Sequence, residues 1–364
     1  MAFNVPIPGH VIPEQATESQ PMPEHSAAIQ VRLHAYPRGP VGPDTWRLTH
    51  DAPGFPAAGQ VLLKMQWLSV DPGMRGWITP KRSYMPPVQP GEVMRAFGVG
   101  EVIESATEGF KPGDVVTGFT GVQTLGCVDT TMLRKIDLRW ASARHYLSGL
   151  GMTGYTAYFG LLDIGKPVAG QTVVVSAAAG AVGSIVCQIA KLKGCRVIGI
   201  AGGAKKCAYL RDALGLDSVI DYKNTDLTEA LKESTPSGID LYFDNVGGEI
   251  LDAVLMRINR HARIVVCGGI SQYSDLEQAR GPANYLQLVA QSGTMQGFTM
   301  RDYMARVPEA FMQLADWHAK GQIQFREHVL DGIESFPAAY DLVFAGGNHG
   351  KTLICLEPQG GAEQ

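Results

Sequence analysis

The sequence predicts an α/β protein in which a doubly wound parallel sheet is inserted into a second, strand-rich domain. Three observations carry this reading. From Gly151 onward, strand-like runs ("TVVVS", "RVIGI", "SVIDY", "LYFDNV", "RIVVCGG", "TMQGFTM") alternate with helix-like stretches such as "GSIVCQIAKLKG" and "GEILDAVLMRIN". Continuous apolar strands between amphipathic helices indicate a parallel sheet covered on both faces. Before Gly151, short apolar runs ("GQVLLKMQWLSV", "VGEVIES", "GDVVTGF") are punctuated by Gly and Pro, as in a small barrel-like domain. After the last helix, "HVLDGIESFPAAYDLVFAGGNHGKTLICL" returns to the first pattern.

The expected organisation is an N-terminal extension over residues 1–28, a substrate-side domain from 29–150 plus 320–364, and a nucleotide domain from 151–319. The extension is rich in Pro, Glu, Gln and Ser without periodicity. A chain of 364 residues suits two cores. Hydrophobic content of 45% with 18% charged residues reads as a soluble globular enzyme. The net charge of −4, with no basic cluster, gives no electrostatic case for nucleic acid.

The start "MAFNVPIPGHVIPE" has neither the basic residues nor the apolar run of a signal peptide. Thr172 to Ala190 is nearly uncharged, but "GAVGS" interrupts it and β-branched residues fill its first third. A buried strand followed by a helix explains it better than a membrane span. The six cysteines form no C-x-x-C pair. Reduced thiols and a cytoplasmic location are expected.

The stretch "SAAAGAVGS", Ser176 to Ser184, follows the apolar run "QTVVV". It occupies the strand–turn–helix position of a Rossmann unit, and aligning G-x-G-x-x-G places Ala178, Gly180 and Gly183 on the motif. Gly180 would let the backbone approach a pyrophosphate, and Gly183 would permit close helix–strand packing. A helix from about Val182 would offer its amides and dipole to the phosphates. With Ala at the first position, an ordinary tight turn also fits the stretch taken alone.

The second strand decides more. An NAD site places a carboxylate at its end, on the ribose 2′-hydroxyl. Here "GIAGGAKK" puts Gly202 and Gly203 there, with Lys205 and Lys206 directly after. Either lysine alone would suit a solvated helix start. The missing acid and the added bases together point to NADP. Later strands end in "DYKN", "DNVGG", "CGGISQY" and "GFTM", loops suited to the crevice at the carboxyl edge. No metal is expected: the chain has no C-x-x-C, H-x-x-x-H or Cys-rich loop, and its histidines are scattered. No G-x-S-x-G elbow suggests a serine hydrolase.

Further segments carry a resemblance: "WLSVDPGMRGW", "GEVMRAFGVGEVIES", "GMTGYTAYFGLLDIG", "VVVSAAAGAVGSIVCQIAKLKGCRVIGIAGG", "YFDNVGGEILDAVL", "CGGISQY" and "GNHGKTL". In this order, over roughly residues 29–356, the chain resembles the zinc-independent medium-chain dehydrogenases/reductases. Within them it is similar to the group of prostaglandin reductases, leukotriene B4 12-hydroxydehydrogenase-like proteins and 2-alkenal (curcumin) reductases. The resemblance implies a GroES-like substrate domain, NADPH as cofactor and reduction of the activated C=C bond of α,β-unsaturated carbonyl compounds. Expected substrates are small enones, enals or quinones. Relatives are monomers or dimers, which leaves a homodimer open.

The resemblance also implies cofactor-binding residues: Met152; Ala179, Gly180, Ala181, Val182 and Gly183 in the turn; Lys206 with Tyr222 at the 2′-phosphate; and Asn245. It adds the loop of Cys267, Gly268, Gly269, Ile270, Ser271 and Tyr273, then Phe298, Thr299, Met300 and Asn348. Asn348 also reads as a turn residue before Gly350. Tyr273 matches the tyrosine given the polar role in catalysis, and an aromatic wall is compatible with that. Where related reductases carry Tyr, this chain has Gly73, with Trp77, Tyr84 and Tyr285 as candidate replacement walls or core residues. Competing functions are an NADPH:quinone reductase, a non-catalytic NADPH-binding protein and, more distantly, a zinc alcohol dehydrogenase.

Overall fold

The computed structural model describes residues 27–81, 83–273 and 278–357. The expected N-terminal extension therefore lies outside the described residues as far as residue 26. Strands β1 (Ala28–Leu33) and β2 (Trp46–Asp51) form an antiparallel pair. The main sheet of this half uses β3 (Gln60–Val70), β4 (Phe97–Ser105), β5 (Val115–Phe119), β6 (Leu125–Asp129) and β7 (Leu133–Lys135). Between β3 and β4 lies a single helical turn, α1 (Met74–Trp77).

The chain then enters α2 (Met152–Phe159) and a parallel sheet of β8 (Thr172–Val175), β9 (Arg196–Ala201), β10 (Ser218–Asp221), β11 (Ile239–Asp244), β12 (Ile258–Val266) and β13 (Thr294–Gly297). Its order is β10-β9-β8-β11-β12-β13. Helices α3 (Ala181–Leu192), α4 (Ala204–Ala208), α5 (Leu227–Ser234), α6 (Gly248–Leu255), α7 (Ile270–Tyr273), α8 (Leu286–Ala290) and α9 (Val307–Ala319) connect or follow these strands. The segment around Thr172 to Ala190 is thus a strand and a helix. Among the described residues no helix is long and apolar enough to cross a membrane.

The uninterrupted apolar character of the strands follows from burial on both faces. Val173 and Val175 pack with α2, α3 and α9 through residues such as Phe159, Ile185 and Leu314. Val174 points the other way, to Leu231, Ile250 and Val254 of α5 and α6. Side chains alternate along a strand, so a strand covered twice must be apolar at every position. The chain reverses direction across this sheet at β8, which pairs with β9 on one side and β11 on the other. The crevice between their carboxyl ends is the expected ligand position of such a sheet.

The tail crosses back to the first half. Strands β14 (Glu327–Asp331) and β15 (Lys351–Cys355) flank α10 (Phe336–Phe344), and β15 pairs antiparallel with β3. Phe336 and Tyr340 of α10 join Trp46, Leu63 and Met74 in one core. At the start of β15, the buried Lys351 ammonium donates to the Val70 carbonyl at 3.1 Å and to the Asp71 carboxylate. Ser69 donates to the other oxygen of the same carboxylate.

Removing one partner of a buried ion pair leaves a desolvated charge. Lys351→Met is expected to cost about 3 kcal/mol in urea unfolding, and adding Asp71→Asn should recover much of it. Stability unchanged in the single variant would contradict a buried pair.

Candidate active site

The turn after β8 explains its own sequence. Its left-handed residue is Ala177, at φ 45°, and not Ala178, which occupies the first motif position. Ala178 is fully buried, and its methyl group is accommodated because Gly199 on neighbouring β9 has none. A Cβ on Gly199 would stand 3.0 Å from that of Ala178. Gly183 is different: a Cβ there would lie 2.3 Å from the Ala177 carbonyl oxygen. Helix α3 starts at Ala181, one residue before the expected Val182, and no side chain caps it. Its first amides remain available to an anion. Gly180 also makes a parallel bridge to Gly350, whose amide donates to the Ala179 carbonyl at 3.1 Å.

At the end of β9, Gly203 (φ 92°) turns the chain into α4. Gly202 is lined by the Tyr222 ring and the Lys223 stem, each about 3 Å from where a Cβ would stand. The carboxylate on the neighbouring strand, Asp221, accepts from the amides of Gly203 (2.8 Å) and Lys223 (3.2 Å) and from the side chain of Asn224 (2.8 Å). The Lys206 ammonium donates to the Gly346 carbonyl at 2.8 Å. Burial, then the charges of Lys223 and Arg326, lower its pKa. Among the described residues no carboxylate lies within ion-pair distance of Lys206, Lys223 or Arg326. A concentration of cations with no carboxylate at ion-pair distance is chemically suited to an anion.

The opposite side of the crevice is organised by Asp244. Its buried carboxylate accepts from the Tyr242 hydroxyl (2.8 Å) and the amides of Val246 and Gly247 (3.0 and 2.9 Å). Asn245 is fixed to Ser176, its amide to the hydroxyl at 2.9 Å and its side chain to the carbonyl at 2.8 Å. The amides of Cys267 and Gly268 donate to the Asp244 carbonyl, and that of Ile270 to Asn245. Ser271 closes the loop with a 2.6 Å bond to the Val246 carbonyl.

Tyr273 ends α7 with its hydroxyl oxygen accepting from the Gly269 amide at 3.2 Å. Among the described residues its proton has no acceptor. Burial raises its pKa, with Cys267 and Tyr84 close enough to add to the effect. Burial also pushes the Cys267 thiol up to about 12. Phe298 lies against Gly160, just beyond α2, where a Cβ would stand 2.5 Å from its ring. Thr299 and Met300 begin the following 3-10 turn. Met152 opens α2.

On the substrate side, Gly73 precedes α1. A Cβ there would lie 3.2 Å from the Tyr84 hydroxyl and 3.9 Å from the Trp77 ring. The Trp77 indole N–H donates to that hydroxyl at 3.3 Å. Tyr84 thus reaches toward the space that a side chain at position 73 would enter. The carbonyl of Tyr84 accepts from Arg301 at 3.0 Å, which ties this loop to the nucleotide half.

Gly73, Trp77 and Tyr84 therefore come together, with Tyr273 near enough to sense Tyr84. Tyr285 is 56% exposed at the start of α8. Its neighbour Asn284 bonds Asp252 of α6, on the outer side of the sheet. The Asn348 side chain donates to the Gly350 carbonyl at 2.8 Å, shaping its own turn. Sequence reading passed over Asp244, Lys223 and Arg326. The first two stand in the quoted loops "YFDNVGG" and "DYKN"; Arg326 gives no local signal and reaches the site only through the returning tail. Among the described residues no group of three or more His, Cys, Asp and Glu is arranged to hold a metal ion.

Fold and crevice define a two-domain dehydrogenase or reductase. A family model described as the N-terminal domain of oxidoreductase matches residues 29–136, and one described as zinc-binding dehydrogenase matches residues 181–319. The chain is 41% identical over 327 residues to the NADPH-dependent curcumin reductase of Escherichia coli, covering 88% of this chain and 95% of that protein. It is 40% identical over 302 residues to the NADP(+)-dependent 2-alkenal reductase of Nicotiana tabacum, covering 82% and 88%. The crystal structure of CurA from Vibrio vulnificus in complex with NADPH superposes with a TM-score of 0.86 at 41% identity, over 91% of this chain and 99% of that one. The chain belongs to the medium-chain dehydrogenases/reductases, in their zinc-independent group.

Lys206→Ala is expected to weaken NADPH binding about 10- to 100-fold, the worth of one charge-assisted contact to phosphate. NADH binding should change little. Titration of both nucleotides by fluorescence checks this, and equal losses would remove Lys206 from the 2′-phosphate.

Proposed function

We propose that the protein reduces the activated C=C bond of α,β-unsaturated carbonyl compounds with NADPH. The observation that carries the reading is the Tyr273 hydroxyl. Its oxygen is held by the Gly269 amide, and among the described residues no acceptor takes its proton. The relatives named for curcumin and 2-alkenal reduction supply the reaction class.

The residues fit the cofactor at both ends. Uncapped amides at Ala181–Gly183 suit the pyrophosphate, and Lys206, with Tyr222 and Lys223 beside Gly202, suits the 2′-phosphate. Asn245, the loop of Cys267 to Ser271, Met152, Phe298 to Met300 and Asn348 surround the nicotinamide side in this reading. Bound NADPH supplies a hydride to the β-carbon of the substrate.

As negative charge develops on the carbonyl oxygen, Tyr273 donates a hydrogen bond to it. A phenol raised by burial above its usual value of about 10 stays protonated at pH 7, so the donor is permanently present. A donor aimed at developing charge in a site shielded from water is worth more than the same bond in solution. Gly73 and the Tyr84 hydroxyl set the shape of the substrate side, with residues 29–150 and 320–357 forming that half of the cleft.

A substrate panel at the nicotinamide absorbance tests the reading. Aliphatic and aryl enones should oxidise NADPH faster than NADH and faster than a benzoquinone does. Faster turnover of the quinone would favour quinone reduction. Tight NADPH binding without turnover of any carbonyl would favour a binding protein. Tyr273→Phe should lower kcat about 10- to 100-fold with NADPH affinity nearly unchanged; an unaltered kcat would demote it to a wall.

A cytoplasmic location fits Cys127, Cys187, Cys195, Cys207 and Cys267, which lie outside any disulfide. A homodimer is supported by the open edge at β13, beside Leu286 and Val289 at 61% and 76% exposure. Light scattering should give twice the chain mass, reduced to one by Val289→Asp.

A further inference from the structure

His349 stands in the tail directly before Gly350, the residue that bridges to the pyrophosphate turn. Three residues earlier, the Gly346 carbonyl accepts the Lys206 ammonium. The carbonyl of Arg326 accepts the Lys351 amide at 2.8 Å, which holds Arg326 beside the same segment. Its guanidinium lies 4.2 Å over the ring of Tyr209, one residue beyond α4. Parts from four distant segments are thereby gathered at one corner of the cleft.

Every charged or titratable group acting on His349 is basic: Arg326, Lys206, His328 and Lys205. Burial, and then these groups, hold the imidazole below its ordinary value. The His349 amide donates to Nδ1 of His328 at 3.3 Å. The Nδ1 of His349 is itself buried with no hydrogen-bond partner among the described residues. A partly buried imidazole with one orphaned nitrogen, among cations that no described carboxylate approaches to ion-pair distance, suits an anionic ligand.

We propose that His349 binds the 2′-phosphate of NADPH together with Lys206, Lys223 and Arg326, and that it does so as an imidazolium, so that NADPH binding draws a proton onto it. This rests on the cofactor reading above. In the free protein, burial and then the surrounding cations disfavour the charged form of His349. A phosphate carrying nearly two negative charges reverses the local potential and favours the charged ring. The phosphate's own ionisation, near pH 6, runs the other way: cations favour its dianion and release the small fraction of a proton it still holds at pH 7. Net uptake therefore marks the histidine.

Calorimetry of NADPH binding at pH 7, in phosphate-free buffers of different ionisation enthalpy, counts the protons. The wild-type protein should take up about half a proton with NADPH and none with NADH. His349→Gln should abolish the uptake and weaken NADPH about three- to tenfold, leaving NADH affinity in place as a check on folding. His328→Gln should retain the uptake. Tight NADPH binding without uptake, uptake that survives in His349→Gln, or equal uptake with NADH would each overturn the proposal. NADPH binding no tighter than NADH would overturn the cofactor reading itself, and this inference with it.

Discussion

The contact on which the cleft depends is the start of β15. Within two residues it touches both halves of the protein: Gly350 bridges to Gly180 in the turn before α3, and Lys351 pairs with Asp71 ahead of α1. The geometry leaves little freedom. Gly350 sits at φ 76°, and a Cβ there would stand 2.0 Å from the Arg326 carbonyl oxygen. An L-residue other than glycine is disfavoured there by conformation and by space. A short covalent span thus ties the turn before α3 to the segment that leads into Gly73. Hydride transfer is sensitive to displacements of about an ångström, which gives such a strut its value.

Burial does two opposite things around this strut. At Tyr273 it disfavours the phenolate, which preserves a hydrogen-bond donor. At Lys206 it disfavours the ammonium, and so do the cations nearby. The basic corner is therefore costly in the free protein, and an anion that enters relieves the cost. Selectivity for a phosphorylated ribose follows from that imbalance as well as from direct contacts.

Much of this was legible in the sequence, because much of it is local. Alternation of buried strands and helices follows from periodicity, and the carboxylate missing from "GIAGGAKK" follows from charge alone. Gly183 was readable because helix packing constrains it within its own motif. Ala178 was readable only as a departure, since the space for its methyl group comes from Gly199, twenty-one residues on and across a strand pair. Arg326 was not readable as a site residue, since nothing near it in the chain marks it, and His349 was readable only as the neighbour of Asn348. Only the return of the tail brings them to Lys206. Tyr84 lay between: suspected from the gap at Gly73, but fixed there by an indole bond and an arginine from the other half.

The loop beside Tyr273 has one further consequence. Unsaturated carbonyl compounds alkylate thiolates, and Cys267 stands at the head of that loop. A thiol raised to about 12 is almost wholly protonated at neutral pH, and protonated thiols are poor nucleophiles. The same desolvation that disfavours a Tyr273 phenolate thus also disfavours the reactive form of this thiol, which stands beside the cleft.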